Sequence, residues 1–185
     1  MYVFDFDGTL VDTKAATIAA YTEAGVKKTP EEWEAVWGLK WREWLHGDEA
    51  EEIHSRKTKY LHKYMHTVRI LPLMSAALQL RVPVITGASP AAVSQTLFTL
   101  SVRFPEVTGL KIVLVGVDTM QKVDYLDWAS AENNMDLIYV DDSQRVRDLM
   151  NLLPGDKRWK AISPSDCLTQ LVSYSQRAKT PDSRD

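Results

Sequence analysis

The chain has 185 residues, of which 45% are apolar and 25% charged, and its formal net charge is −3. That length carries one substantial domain, or one domain with a small insertion, and the apolar content supports a packed core rather than disorder. The weakly acidic balance argues against a general nucleic-acid binder, no apolar run approaches the roughly 20 residues that span a bilayer, and a lone cysteine, Cys167, excludes an intrachain disulfide and points to a reducing compartment.

The first predicted element is a strand over Tyr2–Phe6, rich in β-branched and aromatic residues. The chain therefore opens on a strand rather than on a basic and then apolar leader, and a cytoplasmic location is expected. This strand runs into two carboxylates, Asp5 and Asp7, and then Gly8. Acids one residue apart at a buried strand end repel unless a cation or a proton sits between them. A divalent metal beside an anionic substrate is the simplest reason to build such a pair.

Residues 14–70 contain no good strand run and read as three helices, at 14–26, 30–37 and 41–66. Thr29-Pro30-Glu31-Glu32 is a helix start, with Thr29 as cap and acids in the first turn. From residue 71 a different rhythm begins. Near-continuous apolar strands are predicted at Val82–Ile85, Ile112–Val115, Leu137–Val140 and, more weakly, Trp159–Ile162. Helices are predicted at 73–80, 90–100, 121–133, 143–152 and 165–177. Alternating strands and helices of this kind indicate an α/β fold, a Rossmann-like parallel sheet of about five strands covered on both faces. Residues 1–13 and 71–178 then form the core, 14–70 a small helical cap, and 179–185 a frayed polar tail.

In an open parallel sheet, function gathers at the carboxyl ends of the strands. The first strand delivers Asp5 and Asp7; the second ends in Thr86-Gly87-Ala88-Ser89; the fourth ends in Asp141-Asp142-Ser143; and Lys122 begins the helix before that fourth strand. Each would be weak alone. Together and in this order, Asp-Phe-Asp-Gly-Thr-Leu-Val resembles the first motif of the haloacid dehalogenase-like hydrolases, Thr86 matches their second, Lys122 their third and Asp141-Asp142-Ser143 their fourth. The resemblance covers the whole predicted core, and a helical cap between the first two motifs is a habit of that family. The chain departs from the pattern in the fourth motif. Asp141 stands where many members have glycine, and Val146 stands where a further acid is often found, with Asp148 as another candidate.

The resemblance implies roles. Asp5 would be the nucleophile, forming an aspartyl phosphate, and Asp7 the general acid and base. Mg²⁺ would be held by Asp5, the backbone carbonyl of Asp7, Asp142 and Asp141. Thr86, Lys122 and the backbone N–H groups of Gly87 and Ala88 would bind phosphoryl oxygens. An acid at position 7 favours phosphatase or phosphomutase chemistry over dehalogenation. The expected function is Mg²⁺-dependent hydrolysis of a small phosphorylated metabolite or nucleotide. A sugar phosphomutase is the alternative. A nucleic-acid end phosphatase is a third reading, because His54 to Arg69 holds Arg56, Lys57, Lys59 and Lys63 and no acid.

Substrate choice would then lie in the cap. Trp33, Trp37, Trp41 and Trp44 recur at helical spacing, as the cap's own apolar core or as an aromatic wall above the phosphate. Lys40 and Arg42, in the loop after Gly38, could hold a second anionic group of the substrate. His62 and His66 are four apart but have no third ligand, and read as a solvated face.

Overall fold

The computed structural model describes residues 1–37, 39, 41–115 and 119–177. Gly38, Lys40 and the tail expected at 179–185 lie outside the described residues. In chain order, β1 (Tyr2–Asp5) and the two-residue β2 (Val11–Asp12) lead into α1 (Lys14–Glu23), α2 (Pro30–Val36), α3 (Trp41–Trp44) and α4 (Ala50–Tyr64). Then follow β3 (Arg69–Ile70), α5 (Leu73–Leu80), β4 (Pro83–Thr86), α6 (Pro90–Ser101), β5 (Lys111–Leu114), α7 (Thr119–Asn133), β6 (Leu137–Val140), α8 (Gln144–Leu152), β7 (Trp159–Ile162) and α9 (Pro164–Arg177).

The main sheet is five-stranded and parallel, in the order β5-β4-β1-β6-β7. Strand order reverses around β1, so the crevice beyond its carboxyl end is the place where such a sheet binds ligands. Alternation along β1 sends Val3 to one face, where Ile85, Leu126, Tyr139 and Met150 pack, and Phe4 to the other, with Leu73, Val84, Leu100 and Val140. Cys167 is buried in this second cluster. Among the described residues, no helix is long and apolar enough to cross a membrane.

Helices α1 to α4 form a group with a small core of its own, in which Tyr21, Val26 and Trp33 pack with Trp41, Trp44 and Ile53. The boundaries have local causes. Thr29 accepts from the Glu32 N–H at 3.3 Å while Glu32 accepts from the Thr29 N–H at 2.7 Å, so α2 opens on a reciprocal cap. Ser89 caps α6 ahead of Pro90, and Asn134 at φ +47° ends α7 in the left-handed region. Two features differ from the sequence reading. The helix expected over 41–66 is broken between Trp44 and Ala50, where Gly47 takes φ +100° and its carbonyl accepts from the Ala50 N–H. The segment 14–70 also ends in a strand, because β3 pairs antiparallel with β2, Val11 opposite Ile70 and Asp12 opposite Arg69. This ladder ties the two chain crossings between the helical group and the sheet.

Candidate active site

Strand alternation builds the site. Asp5 follows Val3 on the face covered by α7 and α8, and Asp141 follows Tyr139 on the same face of the neighbouring strand. Lys122, in the first turns of α7, reaches into the gap between them. Its ammonium donates to Asp5 Oδ1 at 2.7 Å, to the Tyr139 hydroxyl oxygen at 2.8 Å and to Asp141 Oδ2 at 3.1 Å. The Tyr139 hydroxyl donates to Asp141 Oδ2 at 2.6 Å, and Asp141 Oδ1 accepts from the Ser143 N–H at 2.9 Å. Asp5 is 6% and Asp141 2% exposed, so these bonds lie in a medium that screens them poorly.

Asp7 and Asp142 face the same space from the two loops. The Thr13 hydroxyl donates to Asp7 Oδ1 at 2.9 Å. Thr13 precedes α1 at its cap position yet makes no side-chain cap bond; its backbone, at φ −99° and ψ 2°, is not in the extended geometry of a capping residue. The Asp142 N–H donates to Thr9 Oγ1 at 3.0 Å. Gly8, at φ +80°, passes so close to the Asp142 carboxylate that a Cβ there would sit 2.2 Å from Oδ2. Thr86 ends β4 at 2% exposure, and its Oγ1 accepts from the Ala88 N–H at 3.0 Å. That amide is therefore held within the turn, while Gly87 and Ala88 both border the cavity.

The electrostatics show crowded negative charge. Burial, with repulsion from Asp141, raises the pKa of Asp5 despite the opposing pull of Lys122. Burial also raises Asp7, and burial together with Asp141 pushes Asp142 up to about 6. For Lys122, burial favours the neutral amine, but the attraction of Asp5 and Asp141 outweighs it and the pKa rises. Asp5, Asp141 and Asp142 each offer a carboxylate oxygen, all within 4.8 Å of one another. Three hard carboxylate donors this close together are a fitting set for Mg²⁺, whose charge would offset the burial and repulsion that raise Asp5 and Asp142.

Above these groups lies a cavity of about 710 Å³ between the sheet edge and α1 to α4, bordered by Asp5, Asp7, Thr86 and Lys122 below and by Trp33, Trp37, Trp41 and Trp44 on the helical side. The tryptophans thus serve as both core and wall: Trp33 is buried edge-on to Trp44, and Trp41 stacks on His54 at 4.4 Å. Arg42 borders the cavity too, but it is 70% exposed, sits over the Trp41 ring and reaches Glu51 at 3.4 Å. Lys40 lies outside the described residues. His62 and His66 are exposed and bond the carbonyls of Lys59 and Lys63. Of the basic residues of α4, Arg56 pairs with Glu52 and Lys63 with Glu23, which leaves less free positive surface than the sequence suggests.

Four residues at the site went unassigned in the sequence reading. Tyr139, Thr13 and Thr9 have no role there, and Lys57 is named only as one of the run of bases from His54 to Arg69. Only the position of Thr9 beside Gly8 gave a local signal.

The family model described as haloacid dehalogenase-like hydrolase matches residues 2–98, just over half of the chain. No curated protein matches the sequence. Solved structures share the fold. A haloacid dehalogenase-like family hydrolase from Streptococcus pneumoniae aligns at TM-score 0.59 and 16% identity, covering 92% of this chain and 97% of that one. CbbY from Rhodobacter sphaeroides, in complex with phosphate, aligns at TM-score 0.58 and 15% identity, covering 80% of each chain. A β-phosphoglucomutase from Clostridium difficile aligns at TM-score 0.56 and 14% identity, covering 81% of this chain and 79% of that one. With an acidic strand end, a lysine-held carboxylate and this match over its first half, the chain belongs to the haloacid dehalogenase-like hydrolase family.

Proposed function

We propose that this protein is a Mg²⁺-dependent phosphomonoester hydrolase acting on a small phosphorylated molecule, with residues 14–70 as a helical cap over the site. The observation that carries the reading is the placing of Asp5: fixed at Oδ1 by Lys122, beside the Asp141–Asp142 pair, and open to a cavity it shares with Asp7. The Asp5 carboxylate attacks phosphorus and becomes an aspartyl phosphate, dividing one difficult displacement into two. Asp7, whose pKa burial raises, protonates the leaving oxygen and then takes a proton from the water that attacks the phosphoenzyme. Thr13 fixes the orientation of Asp7 for both steps. Thr86, Gly87 and Lys122 border the cavity, and we assign them to the phosphoryl oxygens. Mg²⁺, held by Asp5, Asp142, the backbone carbonyl of Asp7 and an oxygen of Asp141, would supply positive charge against those oxygens. Because both Asp141 oxygens already accept from Tyr139, Lys122 and Ser143, we assign Asp141 chiefly to aiming Lys122 and Asp142 to the metal. That CbbY, which shares this fold, was solved in complex with phosphate supports a phosphoryl ligand here.

The test is release of inorganic phosphate from an aryl phosphate, with no sugar present to take the group back. Turnover is expected with Mg²⁺ and is lost on addition of EDTA; turnover unaffected by EDTA counts against the reading.

Two further results are expected. Tyr139→Phe keeps the core volume but removes the hydroxyl shared by Lys122 and Asp141, and kcat/KM falls by about 10- to 100-fold with little change in Tm. An unchanged rate would show that Tyr139 only fills space. The second concerns pH and metal. A carboxyl raised on folding holds its proton more tightly in the folded chain than in the unfolded one. For Asp142 the stabilisation is full below the ordinary value of 3.8 and is lost as pH rises through about 6. Metal-free protein is therefore least relieved near neutrality. Mg²⁺ at about a hundred times its dissociation constant raises Tm at pH 7.5 by roughly 5–10 °C, and by less at pH 5, where protons compete for the same oxygens. A Mg²⁺ shift in Tm that grows as pH falls would contradict this.

A further inference from the structure

The cavity above Asp5 is larger than a phosphoryl group requires. At about 710 Å³ it falls in the range of roughly 300–1,000 Å³ that accepts a molecule of drug size, and its helical side is aromatic. Four described cationic side chains border it. Three have carboxylate partners: Lys122 with Asp5 and Asp141, Arg145 with Glu43 at 3.0 Å, and Arg42 with Glu51. The fourth, Lys57 on α4, has no carboxylate within ion-pair distance among the described residues. Its ammonium stands 5.3 Å from the centre of the Tyr21 ring, on the same aromatic wall. It is half-buried, and burial lowers its pKa while Asp7 pulls the other way. Holding an ammonium in such a place with no carboxylate in contact costs free energy that a solvated lysine on the outer face of α4 would not lose. An anion arriving with the ligand removes that cost.

We infer that the substrate carries, beside the phosphoryl group, a flat apolar body that lies against the tryptophans and a second anionic group that pairs with Lys57. The inference rests on the reading of Asp5 as phosphoryl acceptor, which fixes the phosphate end of the ligand. Because Lys57 and Asp7 border the same cavity and attract one another, the second anion lies on the leaving-group side of the phosphorus. Lys57 is thus a specificity residue, set above the reacting atoms by the cap.

Phenyl phosphate and 3-carboxyphenyl phosphate test this, since a meta carboxylate scarcely alters the leaving phenol. Binding is read by tryptophan fluorescence with Mg²⁺ in full-length Asp5→Asn protein, where no turnover intervenes. The carboxylated ester is expected to bind at least about ten-fold more tightly than phenyl phosphate. Lys57→Met or Lys57→Gln in that background brings the preference below about two-fold, and Lys57→Arg retains it. Equal affinity for the two esters, or none for either, overturns the inference, as does a preference that survives both neutral variants. An equal loss for both esters on removing Lys57 also overturns it, by placing the lysine on the phosphoryl group. Turnover by the unsubstituted enzyme is followed in parallel. Hydrolysis without a Lys57-dependent preference removes the second-anion site and leaves the phosphatase reading standing. A Lys57-dependent preference without hydrolysis of either ester does the reverse.

Discussion

Asp5→Asn is expected to lower phosphate release by on the order of 10⁴-fold or more, as removal of a covalent nucleophile does elsewhere. The substitution keeps the side chain's size and its place at the end of β1, and Lys122 retains Asp141 as a partner at 3.1 Å. It also removes a buried carboxyl that burial and the neighbouring Asp141 and Asp7 disfavour in its charged form. The variant should therefore fold, and its Mg²⁺-free Tm should not collapse. Loss of turnover with the fold intact is what separates a nucleophile from a structural carboxylate. If Asp5→Asn kept more than about a tenth of the activity, attack by water alone would be the better account.

Gly8→Ala should be nearly as damaging, through geometry rather than chemistry. Gly8 takes φ +80°, a conformation that costs a residue with a side chain about 1–3 kcal/mol. The new Cβ would also meet three atoms of the Asp142 carboxylate, at 2.2, 2.4 and 2.5 Å. Real Cβ atoms do not approach so closely, so either the loop or Asp142 must move. Movement of Asp142 would take away the metal donor proposed above and break the register set by its N–H bond to Thr9. Activity at fixed Mg²⁺ should fall about 10²-fold or more, with part of the loss recovered at high Mg²⁺, because the damage lies partly in metal affinity. A drop in Tm with unchanged Mg²⁺ dependence would place the whole effect in the backbone.

The parts of this site that were legible in the sequence are those where local pattern and chemistry coincide. Asp5 and Asp7 stand out because charges at the end of an apolar strand need a use, and Thr86, Lys122 and Asp141-Asp142 stand out because they follow in order. Strand positions were legible for the same reason, since a parallel sheet covered on both faces writes itself as short apolar runs. What stayed hidden depends on which way a side chain points after folding. Tyr139 is one of four apolar-looking residues in β6, and only its register beside β1 brings its hydroxyl to Lys122. Lys57 sits among bases that pair on the outside of α4, and only the packing of α4 against α1 turns it toward Tyr21. The break before Ala50 was missed because Gly47 carries the only strong stop signal in an otherwise helical run, and β2 and β3 are too short to show a period.

The most direct measurement is to trap the phosphoenzyme. Protein with Mg²⁺ is mixed with an aryl phosphate, quenched in acid within one turnover, digested and mapped by mass spectrometry. The expected result is one phosphoryl group on the peptide that begins the chain, borne by Asp5 and lost on mild base treatment. A phosphoryl group on another side chain, or rapid single-turnover release with none on the protein at any time, would contradict a nucleophilic Asp5.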